Sequence, residues 1–327
     1  MMDHQERELF ERAARRAMED TAGPSIDTAL GELGWRDALE SDPQAAISVI
    51  FEGQGETNST SSALDDVVAH ALGGLPPDAG AAPAVVIPPA GRWSPPGLLQ
   101  GERLVVRGLG TGRLRTAEPA AVVAARPDGP EGGADALVMT ADLASRSIAG
   151  MDPFFGLVEV TGSGCEPESS VTLGPGAWPE AVRLARLATA HELVGAARAM
   201  LALARTHAFE RVQFGRPIGA FQAVRHRLAE SLVAVEAAAA ALGAAWDDGS
   251  DQSAAVVRGQ AGHAAHTVAR HSQQVLAGMG FTTEHPFHRY LRRVLVLDQL
   301  FGSARNVTRS LGQELIDSRR LPALPPL

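Results

Sequence analysis

The sequence predicts an α+β chain, mostly α, in three blocks. These are an N-terminal helical domain over 1–75, a β-barrel-like middle domain over 76–173 and a C-terminal four-helix bundle over 174–327. Three observations predict this order. Apolar residues recur at helical spacing near the N-terminus, short apolar runs split by Gly, Pro and Asp fill the middle, and a long Ala-rich tract follows. With 327 residues, 45% of them hydrophobic, the chain has material for two or three domains and a sizeable core.

Leu9, Phe10, Ala13 and Ala14 predict a helix over 5–20, and Ile26, Leu30 and Leu33 another over 26–34. Ser41 and Asp42 before Pro43 predict a helix start, because an Asp cap followed by proline at the first turn suits both residues. A further helix and a Gly/Pro exit through "GGLPPDAGAAPA" close this block. "AVVIPP", "ERLVVRGLG", "AAVVAARP", "ADALVMTA" and "FGLVEVTG" then read as strands of a mostly antiparallel sheet or barrel. After "LGPGAWPEA" the spacing predicts helices over 180–206 and roughly 295–316. Between them, Phe221, Val224, Leu228, Leu232 and Val235 form one apolar stripe, and Val257, Ala261, Ala264, Val268, His271 and Val275 another.

A net charge of −9 argues against a nucleic-acid surface, although local arginines still serve an anionic ligand. All 29 basic residues are arginine. One cysteine, Cys165, excludes an internal disulfide, and its ordinary reading is an inert thiol. The charged N-terminus lacks the apolar stretch of a signal peptide, and no run approaches the roughly 18 apolar residues of a membrane span. The expectation is a cytoplasmic chain without a membrane segment. His263 and His266 stand three apart but lack a carboxylate-rich ligand set, so they and His207, His226 and His271 read as ordinary helix residues and no metal site is expected.

Two stretches carry chemistry. "ERVQFGRPIGAFQAVRH", residues 210–226, places Arg211 in the loop between the first two bundle helices, with Pro217 opening the second. An arginine at a helix N-terminus suits a phosphate, Phe214 suits a ring or ribose, and Gln222 a polar edge. A capped turn with a solvated arginine and a buried phenylalanine is the plainer alternative. "HSQQVLAGMGFTTEHPFHRYLRR", residues 271–293, ends the third helix in a Gly-rich turn that offers Gln274 and bare backbone.

Together with the three-block order, these motifs resemble the acyl-CoA dehydrogenase family. Its R-x-x-FG followed by Gln is matched by Arg211, Phe214, Gly215 and Gln222. Its Q-apolar-apolar-G-G turn is matched by Gln274, Val275, Leu276, Ala277 and Gly278, with alanine for the first glycine. The resemblance is specific in the bundle, textural in the middle domain and loose in the shorter N-terminal domain. It implies that Arg211, Gln213, Phe214, Gln222, Gln274 and Gly278, with Val275 and Ala277 in the same turn, reach across an interface to the pyrophosphate and adenosine half of a neighbour's FAD.

The chain also departs from that family. The usual base, the glutamate of an "EGT" motif, aligns with Phe301, followed by Gly302 and Ser303. The alternative glutamate on the first bundle helix aligns at or next to Ala185. Neither side chain can remove a proton. The motifs that hold the flavin ring in the family are missing from the middle domain, where the Trp93–Ser94 pair is a faint echo. Arg289, Arg292 and Arg293 stand where the family often has an Arg-Asp pair, and read as interface or helix-end charges.

The resemblance therefore implies a subunit with no catalytic residue of its own. Such a chain would complete the FAD site of a longer, homologous catalytic subunit in a hetero-oligomer (α2β2), with the acyl-CoA held mainly by the partner. The expected reaction is α,β-dehydrogenation, and a bulky steroid side-chain CoA ester would explain the trimmed acyl wall. Two alternatives stay open: a self-sufficient homo-oligomer with Glu180, Glu192 or His191 as a displaced base, and a flavin-free scaffold with the same fold.

Overall fold

The computed structural model describes residues 2, 4–20, 24–73, 84–115, 119–126 and 135–319. Five helices come first: α1 (His4–Asp20), α2 (Pro24–Glu32), α3 (Trp35–Ser41), α4 (Pro43–Thr57) and α5 (Ala63–Ala71). Asp42 caps α4 as its sequence predicts, accepting from the Ala45 amide at 3.1 Å, with Pro43 at the first helical position. Ile26, Leu30, Ile47, Ile50 and Phe51 are buried, whereas Leu9 is half exposed and outside the core. The Gly/Pro exit over 74–83 lies outside the described residues.

The middle segment forms one mixed sheet. Its strands are β1 (Val85–Val86), β2 (Gly97–Gln100), β3 (Arg103–Gly110), β4 (Ala120–Ala125), β5 (Ala136–Thr140), β6 (Ala144–Ser147), β7 (Val158–Cys165) and β8 (Ser169–Thr172). The order is β6-β7-β3-β2-β4-β5-β8, with β1 also on β4; β1/β4 and β2/β4 run parallel and the other pairs antiparallel. Alternate residues serve two cores, as the two-residue period of a strand requires. Ala121, Val123, Leu137 and Met139 face the helices, while Val122, Ala124, Val138 and Val160 face a second core within the sheet domain.

The C-terminal segment contains α6 (Ala177–Glu210), a hairpin of β9 (Val212–Gln213) and β10 (Arg216–Pro217), then α7 (Gln222–Asp248) and α8 (Asp251–Leu276). Pro217 belongs to the hairpin, so α7 starts five residues later than the proline indicates. The expected fourth helix is two, α9 (Phe287–Leu297) and α10 (Ala304–Ser318). Phe301 and Gly302 take positive φ between them. Asp298 accepts from the Ala304 amide and the Ser303 hydroxyl from the Asn306 amide, which together restart the chain as a new helix.

Helices α4 and α6 cross at two glycines. A methyl group added at Gly55 would strike the Glu192 carbonyl, and one at Gly195 the Glu52 carbonyl. Backbone meets backbone here, which only glycine permits. The predicted α8 stripe is buried throughout, but on α7 only Val235 is fully buried and Leu232 is 51% exposed. By length and average composition α6 and α7 could each cross a membrane, although charged residues interrupt both; most of the apolar stretch of α6 lies inside the fold, while most of that of α7 does not.

Candidate functional site

The two motifs meet at one end of the bundle, where α6 ends, α7 begins and α8 ends. Val275 of α8 packs with Ala204 and Ala208 of α6, and Ile218, Val224 and Leu228 lean on that small core. The Ile218 amide donates to the Arg211 carbonyl at 2.8 Å and closes the hairpin onto the end of α6. Gln213 pairs with Arg216 across a two-residue turn, Phe214–Gly215, in which both residues have positive φ. That is the geometry of a type I′ turn, whose first central position prefers Asn, Asp or Gly. Phenylalanine there is strained, and its ring is 93% exposed. The plainer reading, with Phe214 buried, is thereby overturned.

The Phe214 ring is not isolated. It meets Phe221 edge-on at 6.1 Å, and the Arg216 guanidinium sits 4.3 Å over the Phe221 ring. Arg216 and Phe221 thus belong to the platform, although sequence reasoning singled out neither; both lie inside the quoted motif. Arg211, Gln213 and Gln222 are exposed beside it, and the Gln222 amide nitrogen lies 3.4 Å from His226 Nε2. At the end of α8 and in the turn that follows, Gln274, Ala277 and Gly278 are exposed, whereas the Val275 side chain is buried and offers a ligand only its backbone. Ala277 holds φ 51 and ψ −128, a conformation that glycine adopts freely and alanine does not. Two of the five non-glycine residues with positive φ among the described residues therefore fall in these two motifs.

The two positions where a proton-abstracting carboxylate would be expected lie in the interior. Ala185 and Phe301 are buried in the main core. The half-buried Trp93 ring packs against Gly302, next to Phe301, where an added methyl would lie 2.8 Å from the indole. The Arg186 guanidinium stacks 5.1 Å over Trp93, and its Nε donates to the Phe301 carbonyl. Desolvation, reinforced by Arg258, pushes Arg186 down to about 10. A cavity nearby, lined by Gln54, Phe155, Thr189, Glu192 and Leu300, measures about 20 Å³, which is room for one water molecule.

The three displaced-base candidates are engaged elsewhere. Glu180 grips the Arg183 fork at 2.6 and 2.7 Å. Glu192 is buried against Arg293, and burial raises its carboxyl to about 7. Arg293, expected at an interface or helix end, is completely buried, 4.4 Å over the Phe155 ring. It donates to Asp152, Glu192, the Ser59 carbonyl and the Thr60 hydroxyl. His191 has both ring nitrogens occupied, Nδ1 against Glu52 at 2.8 Å and Nε2 accepting from the Trp246 indole at 3.0 Å. Glu52 also pairs with Arg198.

Residues 177–315 match the profile of the acyl-CoA dehydrogenase C-terminal domain. This bundle is an acyl-CoA dehydrogenase C-terminal domain. The acyl-CoA dehydrogenase IpdE2 of Mycobacterium tuberculosis is 36% identical over 174 residues, which are 53% of this chain and 52% of that protein. IpdE2 of Mycolicibacterium smegmatis is 38% identical over 131 residues, 40% of this chain and 42% of that protein. The chain thus spans about half the length of the curated relatives it matches. Among solved structures, the Tcur3481-Tcur3483 steroid ACAD superposes with a TM-score of 0.82 at 22% identity, covering 96% of this chain and 99% of the other. The ChsE4-ChsE5 complex from Mycobacterium tuberculosis gives 0.76 at 21%, covering 99% of each. These likenesses show that the helical, sheet and bundle parts together have the acyl-CoA dehydrogenase fold.

The bundle thus combines an exposed polar edge with a packed interior. The charged and amide side chains at the edge, Arg211, Arg216, Gln213, Gln222 and Gln274, are the donor set an anionic dinucleotide needs. FAD, the family's cofactor, fits that chemistry through its pyrophosphate and adenosine.

Proposed function

We propose that this chain is the non-catalytic subunit of a hetero-oligomeric acyl-CoA dehydrogenase, lending one edge of its bundle to a longer partner's FAD. The observation that carries the reading is the contrast between two regions of one domain. The hairpin holds Phe214 exposed against a backbone penalty, while Phe301 and Ala185 are buried at the two positions where a proton-abstracting carboxylate is expected.

In this reading Arg211 and Arg216 hold the pyrophosphate, Phe214 covers the adenosine half, and Gln213, Gln222 and Gln274 donate from their amides. The backbone at Val275, Ala277 and Gly278 lies alongside. The chemistry that FAD supplies when bound is acceptance of a hydride from the substrate Cβ. The proton at Cα goes to a carboxylate that this chain does not provide, so the base and most thioester contacts belong to the partner. Two observations support an α2β2 assembly and a bulky steroid-type CoA ester: the two solved structures compared above are named as pairs of components, and one of them as a steroid ACAD.

Purifying the chain alone and with its longer homologue tests the proposal. The lone chain should be colourless and inactive, and Arg211→Ala in the complex should lose FAD on gel filtration. Stoichiometric FAD and acyl-CoA oxidation in the lone chain would overturn it in favour of a self-sufficient enzyme. Undiminished FAD in the Arg211→Ala complex would instead leave a scaffold.

A further inference from the structure

The turn that presents Ala277 and Gly278 is one tight coil, Ala277–Phe281, joined to α9 by the short link 282–286. Hydrogen bonds fix it at both ends. Upstream, the Ala277 amide donates to the Gln273 carbonyl, and an added methyl at Gly280 would lie 3.2 Å from the Leu276 Cβ. Thr282 then donates to the Met279 carbonyl from both its amide and its hydroxyl, at 3.2 and 3.0 Å. Downstream, His285 Nδ1 accepts from the Phe287 amide at 3.2 Å, and the His285 carbonyl lies 2.8 Å from His288 Nδ1. Phe287 opens α9 and is completely buried, so its amide has no water to bond instead.

An imidazole nitrogen accepts a hydrogen bond only while it carries no proton. His285 is therefore a cap that mild acid removes, unlike the Ser303 cap of α10. Its surroundings favour the uncharged ring. The free amides at the start of α9 repel a cation, and burial, then His207 and His288, hold the imidazole below the usual histidine range. His207, in the last turn of α6, is itself pushed down by burial and Arg211, with Glu210 opposing. The other charges along this stretch, Glu284 and Arg289, are exposed, and Ala277–Phe281 brings none.

We propose that His285 is an acid-sensitive latch on the FAD edge, holding the 277–286 segment in place while neutral and releasing it when protonated. The consequence for FAD rests on the reading of Gln274 and Gly278 as cofactor contacts. Once the cap opens, the strained Ala277 backbone is free to relax, and the turn no longer presents those groups. A histidine whose folded pKa lies below its unfolded one stabilises the latched state near neutrality, and that contribution is lost as pH falls through the folded value.

Hydrogen exchange of the Phe287 amide in the full chain, corrected for the intrinsic pH dependence of exchange, tests the latch. FAD retention by the complex with the longer homologue tests its consequence. From about pH 7.5 to 5, protection should fall about fivefold or more, and FAD loss should rise by a similar factor. Neither should change in His285→Asn, whose side-chain oxygen accepts the same amide without titrating. His207→Gln removes one of the charges that keep His285 neutral, so the midpoint should move to higher pH. The Glu192 carboxyl, raised to about 7, strengthens the fold towards acid, so weaker protection at pH 5 is local. Protection independent of pH, or equally pH-dependent in His285→Asn, would overturn the latch. A working latch with FAD retention indifferent to pH would overturn its link to the FAD edge. Arg211→Ala leaves the cap intact and decides the FAD reading separately.

Discussion

Arg293 and Asp152 lie 2.9 Å apart, both buried, one on α9 of the bundle and the other in the loop before β7. The same guanidinium reaches Glu192 on α6 and the Ser59–Thr60 segment after α4. One side chain therefore joins all three parts of the fold, in a place where two carboxylates would otherwise face each other without a cation.

Arg293→Met keeps the volume and removes the charge, leaving Asp152 and Glu192 buried without their partner. The expected loss is about 3–5 kcal/mol in urea unfolding. Adding Glu192→Gln should restore part of it. A loss below about 1 kcal/mol would show that the junction contributes little.

Stability should fall as pH rises through neutrality. Burial raises the carboxyls of Glu192 and Asp65 to about 7 each, against about 4 in an unfolded chain. One oxygen of Asp65 accepts from the Thr111 hydroxyl and the other is buried without a partner. Between about pH 4 and 7 the folded chain retains protons that the unfolded chain has released, so folding weakens across that window. Three pKa units correspond to an upper bound of about 4 kcal/mol for each group. Glu52 shifts the opposite way: although desolvation opposes it, His191 and Arg198 hold its carboxyl below the usual range, so its effect falls in more acidic solution. Melting temperatures at pH 5 and 8 should differ clearly in the parent chain and converge in Glu192→Gln/Asp65→Asn. Identical slopes in both would sink the assignment.

Ala277→Gly should stabilise the chain, against the usual direction of that exchange. The strain at φ 51 and ψ −128 is worth about 1–3 kcal/mol, and the added chain entropy of glycine about 1 kcal/mol. A net gain of about 1 kcal/mol is expected by thermal unfolding; a lowered melting temperature would mean that alanine sits there without strain.

Gly195→Ala should be among the most damaging small substitutions, about 3 kcal/mol or more, because the new methyl meets the Glu52 carbonyl of α4 rather than a yielding side chain. Gly31→Ala in α2, where an added methyl meets nothing, is the control and should be neutral or stabilising by up to about 1 kcal/mol. Equal effects would refute the close crossing.

The parts legible in the sequence are those written in local signals. Asp42 before Pro43 announced α4, period-two runs announced the strands, and the hairpin motif stood out through Arg211, Phe214 and Gly215. The split between α9 and α10 was also written locally, in Gly302–Ser303, but the apolar spacing on either side hid it. Leu232 followed helical spacing yet is half exposed, because spacing identifies a face and not what covers it. The Arg293 junction left no local trace: its partners stand 101 and 141 positions away, and a buried arginine looks like any other until its carboxylates are placed. Trp93 was similarly opaque, since its role depends on Gly302, brought near only by the fold.

Phe301 also determines what a carboxylate at its position would be able to do. A glutamate there would be an ionisable group in an apolar core, and burial would hold its proton well above the usual carboxylate range. A carboxyl that keeps its own proton cannot take another, so exchanging this one side chain would not create a base at neutral pH. The surrounding packing would have to open as well, which makes the chemistry of position 301 a property of its neighbourhood and not of one residue.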